Sequence, residues 1–290
     1  MEVLKETPVL KFNPNTLKEV REELNLDRDE IIDMIDSFEH WIVKQNHFTV
    51  IEFSRHYMET SIICAKGSLE RAKNTLDKLC TMKTLLPIFF TKHDDVSFFR
   101  LFATLPTLTK DNYRVIFNNI VSTDFDSTMM LDFHRFAILT CEYLKVNDYA
   151  LGYIIVIDCR DINLINFVSK INILDLRNTM SVLMEGYGLR IRGIHVISSS
   201  KAIDVFMILL KQVFSEKLVG RISVHKTIES LYEYVPKEIL PEEYNGGQRS
   251  SLTGRLKEDT VGEFVRGVGG VTISTLLHGM PGSFRAMTVD

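Results

Sequence analysis

At 290 residues, with 45% hydrophobic residues and a formal net charge of -4, the chain is long enough to bury a sizeable core and too acidic for general nucleic-acid binding. No run approaches the roughly 18 apolar residues of a membrane span, and the start MEVLKETPVLKFN does not read as a signal peptide, so a soluble, cytoplasmic protein is expected. Cys64, Cys80, Cys141 and Cys159 have no CxxC spacing and no histidine at metal-ligand spacing, which predicts reduced thiols and no metal site.

Helices open the chain. After an extended lead-in, Asn15 or Thr16 caps NTLKEVREELN, and Asp29 opens DEIIDMIDSFEHWIVKQ, where Ile32, Ile35, Phe38, Ile42 and Val43 recur at helical spacing. The segment TVIEFSRHYMETSIICAKGSLERAKNTLDKL divides at Gly67 and Ser68 into two helices. Acidic side chains such as Glu22, Asp29 and Asp33 form a solvated face.

From Pro87 the pattern turns through KHDD toward strands. Tyr113, Val115 and Phe117 alternate with Arg114, Ile116 and Asn118 as a strand. Residues 126–145 follow as a helix with Met130, Phe133, Ala137, Cys141 and Leu144 on one stripe, and GYIIVID is a strand of a sheet interior. INFVSKINILDLRNTMSVLMEGY is helical, IRGIHVI is a strand, ISVHK is a short strand, and Thr227 caps a helix TIESLYEY that Pro236 stops. Strands alternating with helices predict an α/β layer with parallel pairs. PKEILPEEYNGG reads as a turn-rich strap.

The stretch 189–221 organises the rest. Two arginines lead into a β-branched run, a turn of three serines, and a helix whose apolar surface (Ala202 to Phe214) leaves almost no polar stripe. Arg190, Arg192, Lys201, Lys211, Lys217, Arg221 and Lys226 surround it, against Asp204 and Glu216 alone. An apolar helix rimmed by cations reads as a lid at a membrane surface.

Signals of catalysis are missing: there is no GxSxG elbow and no P-loop, and RGVGGVT lacks the third glycine of a dinucleotide loop. Asp158 and Asp161 end a strand with Arg160 between them to pair with either. Cys159 lacks the loop spacing of a phosphatase, and His195 reads as a hydrogen-bonded core histidine.

IRGIHVI with its serine turn, then VFMILLKQVFSEKLVGRISVH and YVPKEILPEEYNGG, resemble the CRAL-TRIO (Sec14-like) lipid-transfer domain in its α-tocopherol transfer protein-like branch. SLERA is similar to a motif of that family's helical N-terminal module, and GSFRAMTVD to the tail of the insect members. The resemblance implies a helical module over 1–92, a lipid-binding domain over 93–248 and a surface-packed tail over 249–290. Its fold is a mixed, largely parallel sheet with flanking helices and a lid helix over an apolar pocket. It implies no enzyme activity and no cofactor beyond one bound lipid.

Strand alternation puts Ile155 and Ile157 on one face of their strand and Ile194 and Val196 on one face of theirs. On the residues alone these are ordinary core. The resemblance assigns them to a lipid pocket, with Val182, Leu183 and Tyr187 from the preceding helix and Ala137, Ile138 and Cys141 from the earlier one. The lid would add Phe206, Leu209 and Leu210, with Ile203 and Met207 on its outer side. By the same resemblance Arg190, Arg192, Lys217 and Arg221 form a basic cleft for phosphoinositide head groups. Relatives carry Asn and Pro where Ser198 to Lys201 stand, and an aromatic-proline turn where Gly186, Tyr187 and Gly188 stand. The implied partners are a small hydrophobic lipid (a tocopherol, retinoid, carotenoid or phospholipid) and an anionic membrane surface met transiently. A lipid-gated adaptor that docks a protein through the acidic helices is the rival reading.

Overall fold

The computed structural model describes residues 4, 10–48, 52–91, 99–121 and 124–247. The expected surface tail, the KHDD turn and most of the lead-in lie outside them, as do both expected domain boundaries.

Four helices come first: α1 (Thr16–Glu23), α2 (Arg28–Val43), α3 (Arg55–Cys64) and α4 (Leu69–Leu85). The second starts at Arg28, not Asp29, because Asp27 and Glu30 form a reciprocal capping box at 2.8 and 2.9 Å. Its buried stripe is Ile31, Ile35, Phe38 and Ile42, spaced four, three and four apart. Ile32 and Val43, expected on that stripe, stand exposed one position round. The break between α3 and α4 falls as expected, with Gly67 at φ +74° and Ser68 accepting from the Arg71 amide.

The sheet holds β1 (Phe99–Thr104), β2 (Tyr113–Ile120), β3 (Gly152–Asp158), β4 (Ile191–Ile197) and β5 (Ile222–His225). They lie side by side in chain order, β1 antiparallel to β2 and the other pairs parallel. The crossovers are α5 (Ser127–Asn147) between β2 and β3, α6 (Leu164–Lys170) and α7 (Ile173–Ser181) between β3 and β4, and α8 (Ile203–Val213) with α9 (Glu216–Val219) between β4 and β5. Successive right-handed crossovers that advance in one direction put their helices on one face of a sheet. Here that face carries Ile116, Ile155, Ile157, Ile194 and Val196, packed with α5 to α8.

The opposite face carries Val115, Phe117, Ile154, Val156 and Ile197 and is covered by the C-terminal strap through Leu231, Val235, Ile239, Leu240 and Tyr244. The helix expected after Thr227 is a single 3-10 turn at Glu229–Leu231, since Ile228, Leu231 and Val235 must all lie flat on the sheet. Tyr244 anchors the strap by donating to Asp158 (2.9 Å), whose carboxylate also takes two bonds from Arg160 at 2.9 and 2.7 Å.

Arg114, which alternates with Tyr113 and Val115 along its strand, is fully buried. Its guanidinium forks onto Asp148 (3.0 and 2.8 Å) and donates to the carbonyls of Leu105 and Pro106, so one side chain joins β2 to the loops before it and after α5. Replacing Asp148 with Ala leaves a buried guanidinium without its counter-charge and is expected to lower the unfolding free energy by about 3–5 kcal/mol. Urea denaturation checks this, with the double change Arg114→Met and Asp148→Leu expected to cost less than Asp148→Ala alone.

Candidate functional site

Between the helix-covered face of the sheet and α5 to α8 lies a cavity of about 160 Å³. Its floor is Ile116, Asn118 and Ile120 of β2, Ile155 and Ile157 of β3, and Ile191 and Ile194 of β4. Its walls come from Met130, Phe133, His134, Ala137, Thr140 and Cys141 of α5, Phe167 of α6, Leu176, Thr179 and Met180 of α7, and Ile171, Leu183 and Leu189 beside them. Phe206 and Leu210 of α8, with Phe214 after it, close the roof. The volume is close to that of the engineered cavity of about 150 Å³ that takes up benzene.

Eight of the residues expected at this pocket line it: Ala137, Cys141, Ile155, Ile157, Leu183, Ile194, Phe206 and Leu210. Five stand elsewhere. Ile138, Val182 and Val196 are packed into the surrounding core with no free surface, and Leu209 is half-buried on the flank of α8. Tyr187 follows a π-helical turn at Val182–Gly186 and points away. Its hydroxyl donates to buried Glu142, which also receives Lys83 (3.3 Å), and its carbonyl accepts from buried Lys145 (3.2 Å). The β2 floor was not foreseen, although the alternation at Ile116 and Asn118 carried the signal.

Two polar side chains of the wall are satisfied: Asn118 donates to the Val156 carbonyl (3.2 Å) and Thr140 to that of Phe136 (2.9 Å). His134 is 2% exposed with both ring nitrogens unpartnered, and the hydroxyl of buried Thr179 is also unpartnered. Burial holds His134 down at about 4, so its ring is neutral at physiological pH. Among the described residues no group of three or more His, Cys, Asp or Glu could hold a metal ion. Burial pushes the Cys159 thiol up to about 12 and raises Cys141 too, which removes both as nucleophiles.

The roof helix has two faces. Phe206 and Leu210, one turn apart, point inward, while Val205 (54% exposed) and Ile208 (58%) point outward. Ile203 and Met207, expected on the outer side, are half-buried against the core. Packed against α8 are α6 and α7, which carry exposed Ile165 (69%) and Leu174 (63%). The serine turn is held by short local bonds, from the Ser200 amide to the Ser198 hydroxyl and from the Ala202 amide to the Ser200 hydroxyl, both 3.2 Å.

At the start of β4 the register shifts by one residue, so Arg192 has no cross-strand partner on β3. Its side chain runs over Gly152, where a Cβ would sit 2.7 Å from its Cγ, and its guanidinium stacks on the Tyr113 ring at 4.7 Å. Burial and neighbouring Arg192 lower the pKa of Arg190, while Arg190, then Lys217, Arg192 and Arg71, together with some burial, lower that of Lys66. Arg190, Arg192 and Lys217 therefore share one electrostatic neighbourhood with Lys66 and Arg71, neither of which was foreseen. Lys66 gets there through its left-handed conformation in the turn between α3 and α4. Buried nitrogens of Arg190 and Arg192 have no partner. Arg221 instead donates to the Ile191 carbonyl.

The sequence model of the CRAL/TRIO domain matches residues 100–246, just over half of the chain. Alpha-tocopherol transfer protein-like proteins of Homo sapiens and Pongo abelii are 28% identical over 71 residues, 24% of this chain and 21% of theirs. The Mus musculus protein is 27% identical over the same length. The matched stretch thus spans about a fifth of the length of these relatives. A crystal structure of Sfh5 is similar at a TM-score of 0.42 and 9% identity, covering 72% of this chain and 84% of that one.

Because His134 titrates near 4 in the fold and near 6.5 when unfolded, the unfolded chain binds more protons between those values and stability falls as pH drops through them. The loss attributable to this residue is on the order of 3 kcal/mol. Denaturation midpoints measured from pH 7 to pH 4 are expected to fall less steeply in His134→Phe.

Proposed function

The chain belongs to the CRAL/TRIO domain family, a family of lipid-binding and transfer domains, and from that premise we propose that it carries one small hydrophobic ligand between membranes. In this reading the helical module of residues 1–92 supports a lipid-binding domain over 93–248, and the protein works in the cytoplasm with transient membrane contact. The observation that carries the proposal is the apolar cavity roofed by a helix with an apolar outer face.

Lifting α8 exposes Phe206 and Leu210 together with the cavity wall. In water each of those side chains costs about 1.5–3 kcal/mol to expose, whereas against lipid acyl chains the cost disappears. Inserting Val205, Ile208, Ile165 and Leu174 into a membrane returns about 1 kcal/mol each, given that they are already half-buried or less. Contact with a bilayer therefore favours the open lid, and the ligand leaves into a medium as apolar as the cavity.

The second part of the proposal is that Arg190, Arg192 and Lys217, joined by Lys66, recognise phosphoinositide head groups. Cations crowded enough to depress one another are relieved by an anion, and guanidinium groups suit phosphate oxygens. Each cation held near an anionic leaflet adds about 1 kcal/mol. Arg221, tied to the Ile191 carbonyl, would shape the cleft from below.

Mass spectrometry of an organic extract of the purified protein is expected to find one dominant lipid at about one per chain. Failure to recover any lipid, or to take one up from a mixed extract, would reduce the cavity to packing. In vesicle sedimentation, Lys66→Ala with Lys217→Ala is expected to weaken binding to phosphatidylinositol bisphosphate vesicles about thirtyfold and to leave ligand uptake unchanged. Val205→Asp with Ile208→Asp is expected to abolish transfer between vesicles while the closed protein keeps its ligand. A stable protein complex with slow lipid exchange would instead favour an adaptor.

A further inference from the structure

A second hollow lies on the strap-covered face of the sheet, and its volume of about 360 Å³ exceeds that of the apolar cavity. Small-molecule sites span about 300–1,000 Å³. It is a groove between the first residues of β2, β3 and β4 and the strap residues Tyr232, Glu233, Tyr234 and Pro236. The register shift at the start of β4 shapes its floor. Ile191 and Ile194 both line the apolar cavity, so the extra residue turns Arg192 and Gly193 together to the other face. Arg192 runs there across Gly152 of β3 onto the Tyr113 ring of β2, and its guanidinium has no hydrogen-bond or ion-pair partner among the described residues.

His195 leans back over Gly193, where a Cβ would sit 2.7 Å from its Nε2. A chain of hydrogen bonds decides which of its nitrogens carries the proton. Ser230 gives its one hydroxyl hydrogen to the Thr227 carbonyl (2.9 Å), so at 3.0 Å it accepts from Nδ1–H of His225. The bare Nε2 of His225 then accepts from Nδ1–H of His195 at 2.9 Å, which leaves Nε2 of His195 as a lone pair over the groove floor. Burial, with some repulsion from His225, holds His195 down at about 4, so this ring is neutral at physiological pH.

Arg192 and Lys110 line the groove with Asp111 and Glu233, and none of the four has an ion-pair partner among the described residues. The signs balance. A polyanion such as an inositol phosphate would meet two carboxylates and an imidazole lone pair as well as the two cations. A molecule with one charge of each sign, and hydrogens on its cationic group, meets a partner for every group it carries. The ring of Tyr234, packed on His195 at 4.7 Å and 49% exposed, adds an apolar face beside them.

We propose that this groove is a second binding site, separate from the apolar cavity, for a small zwitterion of the α-amino acid type. The carboxylate sits on Arg192, the ammonium group donates to Nε2 of His195 and faces Glu233 and Asp111, and an aromatic side chain lies against Tyr234.

Nitrogen NMR of the full chain labelled at histidine tests this with four probes: L-phenylalanine, L-phenylalaninol, 3-phenylpropionate and inositol trisphosphate. In the free protein Nε2 of His195 is expected at the position of an unprotonated nitrogen, and a protonated Nε2 overturns the proposal. L-Phenylalanine is expected to move that resonance, with the alcohol, which lacks the carboxylate, and the propionate, which lacks the ammonium group, each binding about tenfold more weakly. In Arg192→Met the advantage of L-phenylalanine over L-phenylalaninol is expected to vanish, while binding of the alcohol is retained and reports an intact groove. Asp111→Asn with Glu233→Gln is expected to weaken L-phenylalanine and spare 3-phenylpropionate. An advantage that survives Arg192→Met overturns the proposal, as does equal binding of the first three probes or no response of His195 to any of them. Arg192 is common to this groove and the basic cleft, so a response to inositol trisphosphate stronger than to L-phenylalanine also overturns it, and gives the groove to the head group. Lipid uptake enters none of these readouts, so the transfer reading stands or falls separately.

Discussion

The order of the strands is the constraint on which the molecule depends. With β2 to β5 adjacent in sequence and in space, and all parallel, every crossover advances in one direction and its helices fall on one face. That face must then be covered by α5, α6, α7 and α8 in turn, and an arch of four helices over a twisted sheet need not close-pack at its centre. The cavity lies there, floored by alternate residues of three neighbouring strands. Among the described residues the other face is covered by the strap, through Leu231, Val235 and Leu240.

Charge is distributed so as to keep that centre neutral. The buried ions sit at its margins, each with a partner: Arg114 with Asp148, Asp158 with Arg160 and Tyr244, and Glu142 with Lys83 and Tyr187. Arg114 with Asp148 and Lys83 with Glu142 tie segments 34 and 59 positions apart. A further set of cations gathers instead where β4 begins and the turn between α3 and α4 approaches it, with Lys66 and Lys217 exposed. Apolar contents and anionic membrane are thus met by different regions of the same domain, and α8 touches both, facing the cavity with Phe206 and Leu210 and the outside with Val205 and Ile208.

Much of this arrangement was legible before any coordinates. Alternation in GYIIVID and IRGIHVI put Ile155, Ile157 and Ile194 on one face because strand periodicity is two whatever the neighbours are. The stripe Met130, Phe133, Ala137, Cys141 and Leu144 was legible for the corresponding reason in a helix, and all but Leu144 line the cavity. Where several phases fit, the reading slipped. Ile31 and Ile32 both suit an apolar stripe, and only packing against α3 and α4 selects Ile31. The burial of Arg114 was not legible, because its type is seldom buried and the carboxylate that makes burial tolerable lies 34 residues away.

By itself, then, the sequence determined the α/β alternation, the parity of the strands, the helix starts at Ser68 and Asp126, and an apolar helix ringed by cations, since each follows from neighbours within a few positions along the chain. Tertiary structure alone decided what depends on distant segments meeting. It turned Tyr187 away to a buried carboxylate on α5, reduced the segment after Thr227 to one 3-10 turn, and brought Lys66 to Arg190 across more than a hundred positions of chain. It also buried the ring nitrogens of His134 and the hydroxyl of Thr179 without a hydrogen-bond partner, because the helices that carry them are set by the sheet beneath and not by their own side chains.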